Sequence, residues 1–384
     1  MKILYAAEYY PFLASKVILE INKQLSTQGV SAKIITSNLF CDSKYSPKIP
    51  DHVSVERLRA KKVVAFGTSY VLYDPRDWFK IEKQYDIDLI HLHFLYGFLP
   101  LYIGMLKKIN KLQIPIVATS HGLTTGYSSA IVQAISTLLR KLTKELVISE
   151  ASLVTTISRL EYNYLARFIP HHKLRYIPNG VDTTVFKPDI TKRTEFRRKL
   201  GFKENDFVVL YFGNLRAAKG ISTFLKAMFK IIPKTENIKF LIAGTGPQSY
   251  LVAEAERKNY NRIKSMLEYI ADEDLPSLYN ASDVYVLPSF VEGMPLSIME
   301  AMACGKPVIA TKIADVPSLV ESGVNGILVQ PDNSESLVEG TMYLAKNPEL
   351  VRRMGEVNIE KMKKHDWNNT AKQYHALYLR AIRD

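Results

Sequence analysis

The sequence predicts an α/β chain of two doubly wound parallel-sheet domains facing across a cleft, and three observations carry that prediction. Short apolar runs rich in Ile, Val and Tyr alternate with helical patterns, the signature of βαβ units. The runs fall into two sets of six. Between the sets lies a polar, charged stretch punctuated by Pro178, Asn179, Gly180 and Pro188.

The first set reads as strands at "KILYAA", "AKIIT", "DLIHLH", "PIVATS", "LVTTIS" and "LRYIP". The second reads as "FVVLYFG", "IKFLIAG", "IKSMLEY", "DVYVLPS", "PVIAT" and "GILV". The connector is placed near residues 181–200, with domains over residues 1–190 and 191–366. At 384 residues and 47% hydrophobic, the chain can bury a core in each domain. Ligands of open α/β sheets sit outside the carboxyl ends of the strands. Chemistry is therefore expected in the loops that follow strands.

Composition narrows the class. No apolar stretch reaches ~18 residues without a charge, so no membrane-spanning helix is expected. The opening "KILYAAEYYPF" has neither the basic region nor the cleavage site of a secretory signal. Cys41 and Cys304 lie far apart without metal-ligand spacing, which fits a reducing cytoplasm. The formal charge of +13 is uneven. Residues 1–180 carry 23 Lys+Arg against 13 Asp+Glu, whereas residues 181–384 carry 28 against 25. A basic first half suits an anionic partner, either a phosphorylated ligand or a membrane surface. Nucleic acid is disfavoured, because the basic residues lack a recognised motif or an aromatic-interleaved strand pattern.

Four loops stand out. "YFGNLRAAKG" follows the first strand of the second half and sets Arg216 and Lys219 beside a helix start, a place suited to phosphate. "LIAGTGPQSYL" places Gly244 and Gly246 after another strand, where a tight turn alone also calls for glycine. "TSHGL" ends a strand with His121, which can donate to a sugar hydroxyl or take part in proton transfer. "SFVEGMPLSIMEAMACG" puts Glu292 and Glu300 on either side of Gly293 and Pro295. There "SIME" reads as a capping box, with Ser297 at the N-cap and Glu300 three residues on. Two acceptor-only carboxylates flanking an anion site describe a ligand with hydroxyl groups on both sides of its phosphates. A nucleotide sugar has that form.

Other residues read more plainly. Asp86 and Asp88 of "YDIDL" form an acid pair that reads as a turn rather than a metal site. His91 and His93 of "HLHF" share one strand face and read as satisfied, half-buried histidines.

"SFVEGMPLSIMEAMACGKPVIAT" resembles the E-x7-E signature of the retaining GT-B glycosyltransferases of group 1, or family 4. The resemblance runs along nearly the whole chain through "TSHG", "TTISRLEYNYL", "RYIPNGVDTTVFKP", "YFGNLRAAKG", "IAGTGPQSYL", "DLPSLYNASDVYVLPS", "ESGVNGILVQPDN" and "HDWNNTAKQYHALYLRA". It implies two Rossmann-like domains: an acceptor-side domain over 1–190 and a donor domain over 191–366. It also implies that the helix from about Trp367 to Asp384 packs back on the first. Carried over, it implies Glu300 on the donor ribose, Glu292 on the donor sugar near the reacting centre, and the amides of Leu296 and Ser297 toward the α-phosphate. Lys219 falls to the β-phosphate, the backbone around Ile270 to the nucleobase, and His121 to the donor sugar or the acceptor. Gly244, Gly293 and Met294 line the same donor site. The family commonly has arginine where this chain has Asn214, so its second phosphate cation is missing unless Arg216 substitutes. The loop "EYYPFLASK" lacks the usual glycines, and Glu268 stands where a glycine commonly precedes the base-contacting segment.

The implied reaction transfers a sugar from a nucleoside-diphosphate donor with retention, without metal or other cofactor, at residues His121, Glu292 and Lys219. Lys219 and the helix amides would stabilise the charge that develops on the departing diphosphate. The acceptor is expected on the first domain, where "FLYGFLPLYIGMLKK" and "SSAIVQAISTLLRKLTKEL" join apolar residues to cations. That suggests a lipid-linked or glycan acceptor and peripheral contact with the anionic inner face of a membrane. The alternatives are an epimerase or phosphorylase on the same fold, or a nucleotide-sugar binder without turnover.

Overall fold

The computed structural model describes residues 1–7, 13–39, 53–65, 68–74, 76–77, 86–93, 95, 97–121, 137–259 and 261–384. Cys41, the start of "EYYPFLASK", Gly122 and the first half of "SSAIVQAISTLLRKLTKEL" lie outside them. The chain divides into two compact units, Met1–Asn179 with Trp367–Asp384, and Gly180–Asp366.

The first unit is built on a seven-stranded parallel sheet. Its strands are β1 (Lys2–Ala7), β2 (Ser31–Ser37), β3 (Val53–Leu58), β6 (Leu89–His93), β7 (Ile116–Ser120), β8 (Leu153–Thr156) and β9 (Leu174–Tyr176). They run in the order β3-β2-β1-β6-β7-β8-β9. β4 (Ala60–Ala65) and β5 (Thr68–Tyr73) form a separate antiparallel hairpin. The six strands expected here are all present, and β3, β4 and β5 are additions to the sequence reading. Central strands read as unbroken apolar runs because helices cover both faces of a parallel sheet. β1 is buried from Ile3 to Ala7 and β6 throughout. Helix α1 (Leu13–Ser26) follows β1, and α2 (Phe98–Lys108) packs against a π-helical turn at Thr143–Ile148. That packing is close at Gly104, where a Cβ would stand 2.0 Å from the Leu146 carbonyl oxygen. A shorter helix, α3 (Arg159–Leu165), is capped by the Ser158 side chain, which accepts from the Glu161 amide.

The second unit has six parallel strands: β10 (Phe207–Phe212), β11 (Ile238–Ala243), β12 (Ile263–Met266), β13 (Val284–Leu287), β14 (Val308–Thr311) and β15 (Gly326–Val329). Their order is β12-β11-β10-β13-β14-β15, and each lies inside a run expected from the sequence. Strand order reverses between β10 and β13, the switch point at which open α/β sheets hold ligands.

Residues 181–200 are not a loose connector. Ile190–Leu200 is a helix, α4, started by Asp189, whose side chain accepts from the Lys192 amide, and closed by left-handed Gly201. Its charges read as a linker because one of them is used inward. Arg197 is 1% exposed and binds Asp283 Oδ2 at 2.6 Å and the carbonyls of Ala281, Lys203, Glu204 and Asp206. Further on come α5 (Ile221–Ile231), α6 (Ser249–Lys258), α7 (Leu275–Ala281), α8 (Leu296–Ala303), α9 (Ser334–Ala345) and α10 (Pro348–Lys364). α5 shows why such segments fold on the sheet. Ile221, Phe224, Leu225, Met228 and Ile231 recur at helical spacing and are buried together.

The last helix, α11 (Trp367–Arg383), belongs to the first unit. It buries Trp367, Tyr374, Leu377 and Tyr378 beside α1, β6 and β7.

Candidate active site

The candidate donor residues gather at the carboxyl ends of β10 and β13, the switch point of the second unit. After β10 the chain turns through Asn214, Leu215 and Arg216 into a short 3-10 turn at Ala217–Lys219. Gly220 then takes the left-handed conformation, φ 70°, where a side chain would also collide with Pro288, its Cβ 1.9 Å from the carbonyl oxygen. That close approach locks the turn against the segment leaving β13. The Phe290 amide donates to the Ala218 carbonyl at 2.9 Å, and the Tyr211 hydroxyl donates to the Lys219 carbonyl at 3.2 Å. Tyr285 donates to Phe212 O at 2.9 Å, and Thr311 reaches the Ser289 carbonyl. Three strand ends are thus tied into one rim.

Within that rim Lys219 Nζ meets Glu292 Oε1 at 2.7 Å. The Glu292 side chain is 7% exposed and that of Lys219 is 22%. Two residues that the sequence assigns to different parts of a donor form one ion pair. Asn214 and Arg216 are exposed on the same turn, which the Arg216 amide closes by donating to the Asn214 carbonyl at 3.0 Å. Gly244 follows β11, held against Gly213 so closely that a Cβ would lie 2.0 Å from its carbonyl oxygen. Ile270 is buried past the end of β12.

Helix α8 starts differently from the capping box. Pro295 is at the N-cap, with no side-chain bond, so Ser297 is the second helical residue and Glu300 the fifth. Proline carries no amide and its fixed φ suits a helix entry. Glu300 is free of the capping role. It is 5% exposed and accepts from the Tyr279 hydroxyl at 2.8 Å. Burial and the Glu300 carboxylate push Tyr279 well above the usual phenol range, so it remains a donor. Gly293 is half-buried and Met294 buried in the loop between the two glutamates, and Leu296 and Ser297 open the helix. The amides of that first helical turn have no intrahelical acceptor, so the turn between Glu292 and Glu300 is suited to an anion.

His121 lies in the first unit, just past β7. Its Nε2 is 2.7 Å from His93 Nδ1, and the rings stack with centroids 5.0 Å apart. His91 and His93 are fully buried rather than half-buried, because β6 is central to the sheet. His91 is satisfied on both nitrogens, by the Tyr378 hydroxyl at 2.7 Å and Thr119 Oγ1 at 2.6 Å. His93 Nε2 has no hydrogen-bond partner among the described residues. Burial lowers His121 to about 4 and, with the neighbouring rings, holds His91 and His93 well below the usual imidazole range. Asp86 and Asp88 both bind Lys2, the first through its ammonium and the second through its amide, and so pin the start of the sheet.

Sequence reading missed Tyr279, Tyr211, Gly220 and His93. "DLPSLY" carries Tyr279 at helical spacing like any core aromatic, and nothing local marks its hydroxyl as the partner of Glu300.

The folds and the switch-point site together define a GT-B glycosyltransferase. The family profile for glycosyl transferases group 1 matches residues 192–361, and that for glycosyltransferase family 4 matches residues 14–185. The chain belongs to the family 4, group 1 glycosyltransferases. Among its relatives is N-acetyl-alpha-D-glucosaminyl L-malate synthase of Bacillus anthracis, 25% identical over 100% of this chain and 98% of that one. D-inositol 3-phosphate glycosyltransferase of Corynebacterium glutamicum is 27% identical over 79% of this chain and 75% of its own length. In structure the chain is similar to sucrose-phosphate synthase from Thermosynechococcus elongatus, with TM-score 0.79, 22% identity and coverage of 99% and 98%. It is also similar to Anabaena HepE in complex with UDP, with TM-score 0.78, 20% identity and coverage of 98% and 99%.

Proposed function

We propose that the chain transfers a sugar from a nucleoside-diphosphate donor to an acceptor hydroxyl, with retention of the anomeric configuration. The observation that carries this reading is the Lys219–Glu292 pair beside the α8 amides, with Glu300 on the far side of those amides. A diphosphate draws Lys219 off Glu292, and Glu292 is then available to the sugar. The charge that grows on the leaving diphosphate meets Lys219 and the amides, both fixed before reaction. No metal is needed for that stabilisation, so chelation leaves turnover unchanged. Glu300 takes the ribose hydroxyls, steadied by Tyr279. Support comes from HepE, which has been solved with UDP, with UDP-glucose, and with UDP and glucose.

A thermal-shift screen of UDP-, GDP- and ADP-sugars, followed by nucleotide-release assays on the hits, tests the activity. Glu300→Ala should weaken donor binding by roughly 10-fold or more, the loss of a charge-assisted hydrogen bond. Wild-type donor affinity in that variant would remove the site assignment.

The acceptor is read as lipid-linked and the protein as cytoplasmic, meeting an anionic membrane through the first unit. That unit holds 26 Lys+Arg against 14 Asp+Glu, and the second 25 against 24. Most apolar residues of α2 serve the core, but Met105, Ile109 and Leu138 are exposed near the cations Lys111, Arg140 and Lys141. No helix among the described residues is long and apolar enough to cross a membrane. Co-sedimentation with anionic vesicles at low salt, lost at high salt, is the expected outcome. Absence of binding at low salt rules the contact out.

A further inference from the structure

A cleft lies between α4 and α7, and every residue lining it belongs to the second unit. None of them belongs to the rim at β10 and β13. Its volume of about 600 Å³ falls within the ~300–1,000 Å³ of small-molecule sites. α4 contributes Lys192, Glu195, Arg198 and Lys199, and α7 contributes Ser277 with Asp274 just before it. Buried Phe196 adds an apolar surface to the lining. Among the described residues, none of the five charged side chains has a hydrogen bond or an ion pair. Arg193 and Arg197 of the same helix behave differently, since both are used on Asp283 and on backbone carbonyls.

Those inward bonds fix the walls before any ligand arrives. The Asp189 amide donates to Asn280 Oδ1 at 2.9 Å, and Arg193 donates to the carbonyls of Asn280 at 3.2 Å and Ser282 at 2.9 Å. α4 is thereby pinned to α7, and a preformed site spends little binding energy on ordering itself. The surroundings are positive as well. Buried Lys306 donates to the Asn280 carbonyl at 3.2 Å, and burial, then Arg193, lowers its ammonium to about 8.

Three cations and two carboxylates in one cleft select their ligand. A bare anion would leave Glu195 and Asp274 facing its charge, and a cation would meet Lys192, Arg198 and Lys199. A molecule with a phosphate at one end and hydroxyls along the rest uses both sets, because carboxylates only accept and hydroxyls donate. We propose that this cleft is a second ligand site, for a phosphorylated polyol of the size of a sugar phosphate. Lys192, Arg198 and Lys199 take the phosphate, while Glu195 and Asp274 take hydroxyls and Ser277 donates or accepts between them. The side chains at its mouth are exposed, so solvent screening keeps the affinity modest, on the order of 0.1–1 mM. The site is independent of the Lys219–Glu292 pair and stands or falls apart from the donor reading.

Calorimetric titration of the full chain with glucose 6-phosphate, glucose and inorganic phosphate tests it. Glucose 6-phosphate should bind more tightly than either of the others. Replacing Arg198→Ala and Lys199→Ala together should weaken it about tenfold, the loss of charge-assisted contacts in a screened setting. Glu195→Gln with Asp274→Asn should weaken glucose 6-phosphate and strengthen inorganic phosphate, a reversal that simple attraction of anions does not produce. Lys219→Ala should leave the binding unchanged. Absence of binding at roughly 10 mM glucose 6-phosphate overturns the proposal. Binding that survives the Arg198 and Lys199 replacements overturns it too, as does binding lost in Lys219→Ala, which would put the phosphate at the candidate donor site. Equal affinity for glucose 6-phosphate and inorganic phosphate overturns the polyol assignment.

Discussion

Lys219 and Glu292 neutralise each other at 2.7 Å, and what happens when one is removed differs from what happens when the other is. With Glu292→Ala the ammonium loses the one carboxylate paired with it among the described residues, and a diphosphate no longer competes for it. Nucleoside-diphosphate affinity should rise several-fold while turnover falls by about 10- to 100-fold, the size of a lost transition-state contact. Calorimetric titration with UDP beside initial rates checks both halves. A fall in both affinity and rate would assign Glu292 to the phosphate rather than the sugar. Lys219→Ala has the opposite sign on affinity and strands a carboxylate that is 7% exposed. The residue scale is also where the sequence was least legible. Glu292 and Glu300 stood out by their spacing, but Glu292 meets Lys219, 73 positions away, because β13 lies beside β10, and Glu300 meets Tyr279, 21 positions away, where α8 packs on α7.

At the scale of elements, legibility followed burial. Most of the twelve strands expected are buried on both faces, and the half-buried edge strands β9 and β12 each begin on a buried apolar residue. The missed strand β3, "VSVERL", is an edge strand with exposed and half-buried positions between Val53 and Leu58. The hairpin β4–β5 carries Lys61 and Lys62 at positions that look like a loop. Helix α4 was hidden by its charge, and Arg197 is the reason it is ordered. Arg197→Ala leaves Asp283 with Arg193 and the Val208 amide, and takes a donor from the carbonyls of Ala281, Lys203, Glu204 and Asp206, of which that of Lys203 keeps the Asp206 amide. Breaking a buried pair of this kind costs about 3–5 kcal/mol. Urea unfolding of the second unit should show that loss as a shifted midpoint at unchanged slope. A shift below ~1 kcal/mol would mean the pair is replaced by water.

For the molecule as a whole, buried His91 and His93 and half-buried His121 should make the first unit acid-labile. Each has a folded pKa below its unfolded value of about 6.5, with His121 near 4 and His91 and His93 also well lowered. Between those values the unfolded chain binds protons that the native one does not, so stability falls as pH falls. The contribution is complete above about pH 6.5 and is lost progressively toward pH 4. Unfolding temperatures measured from pH 7.5 to 4.5 should drop most steeply for the transition of the first unit. His91→Gln, retaining hydrogen bonding without titrating, should flatten that slope. A slope unchanged in the variant would place the acid sensitivity elsewhere. The fold class was legible at this scale from the doubled βα rhythm, and the charge imbalance was too, although returning α11 to the first unit raises its excess to +12.

That return of α11 bears on how the chain is made. The first unit leaves the ribosome in two instalments, residues 1–179 early and residues 367–384 later, with the entire second unit between them. Tyr374 and Tyr378 supply hydroxyls to Thr119, His91 and Tyr5, so the sheet face they cover stays open until residues 367–384 have been made. The second unit, a single uninterrupted stretch whose ends meet where the Val181 amide donates to the His365 carbonyl, has no such wait. The later-translated unit is therefore the first to be completed, and a nascent chain stalled short of Trp367 would hold a finished second unit and an unfinished first one.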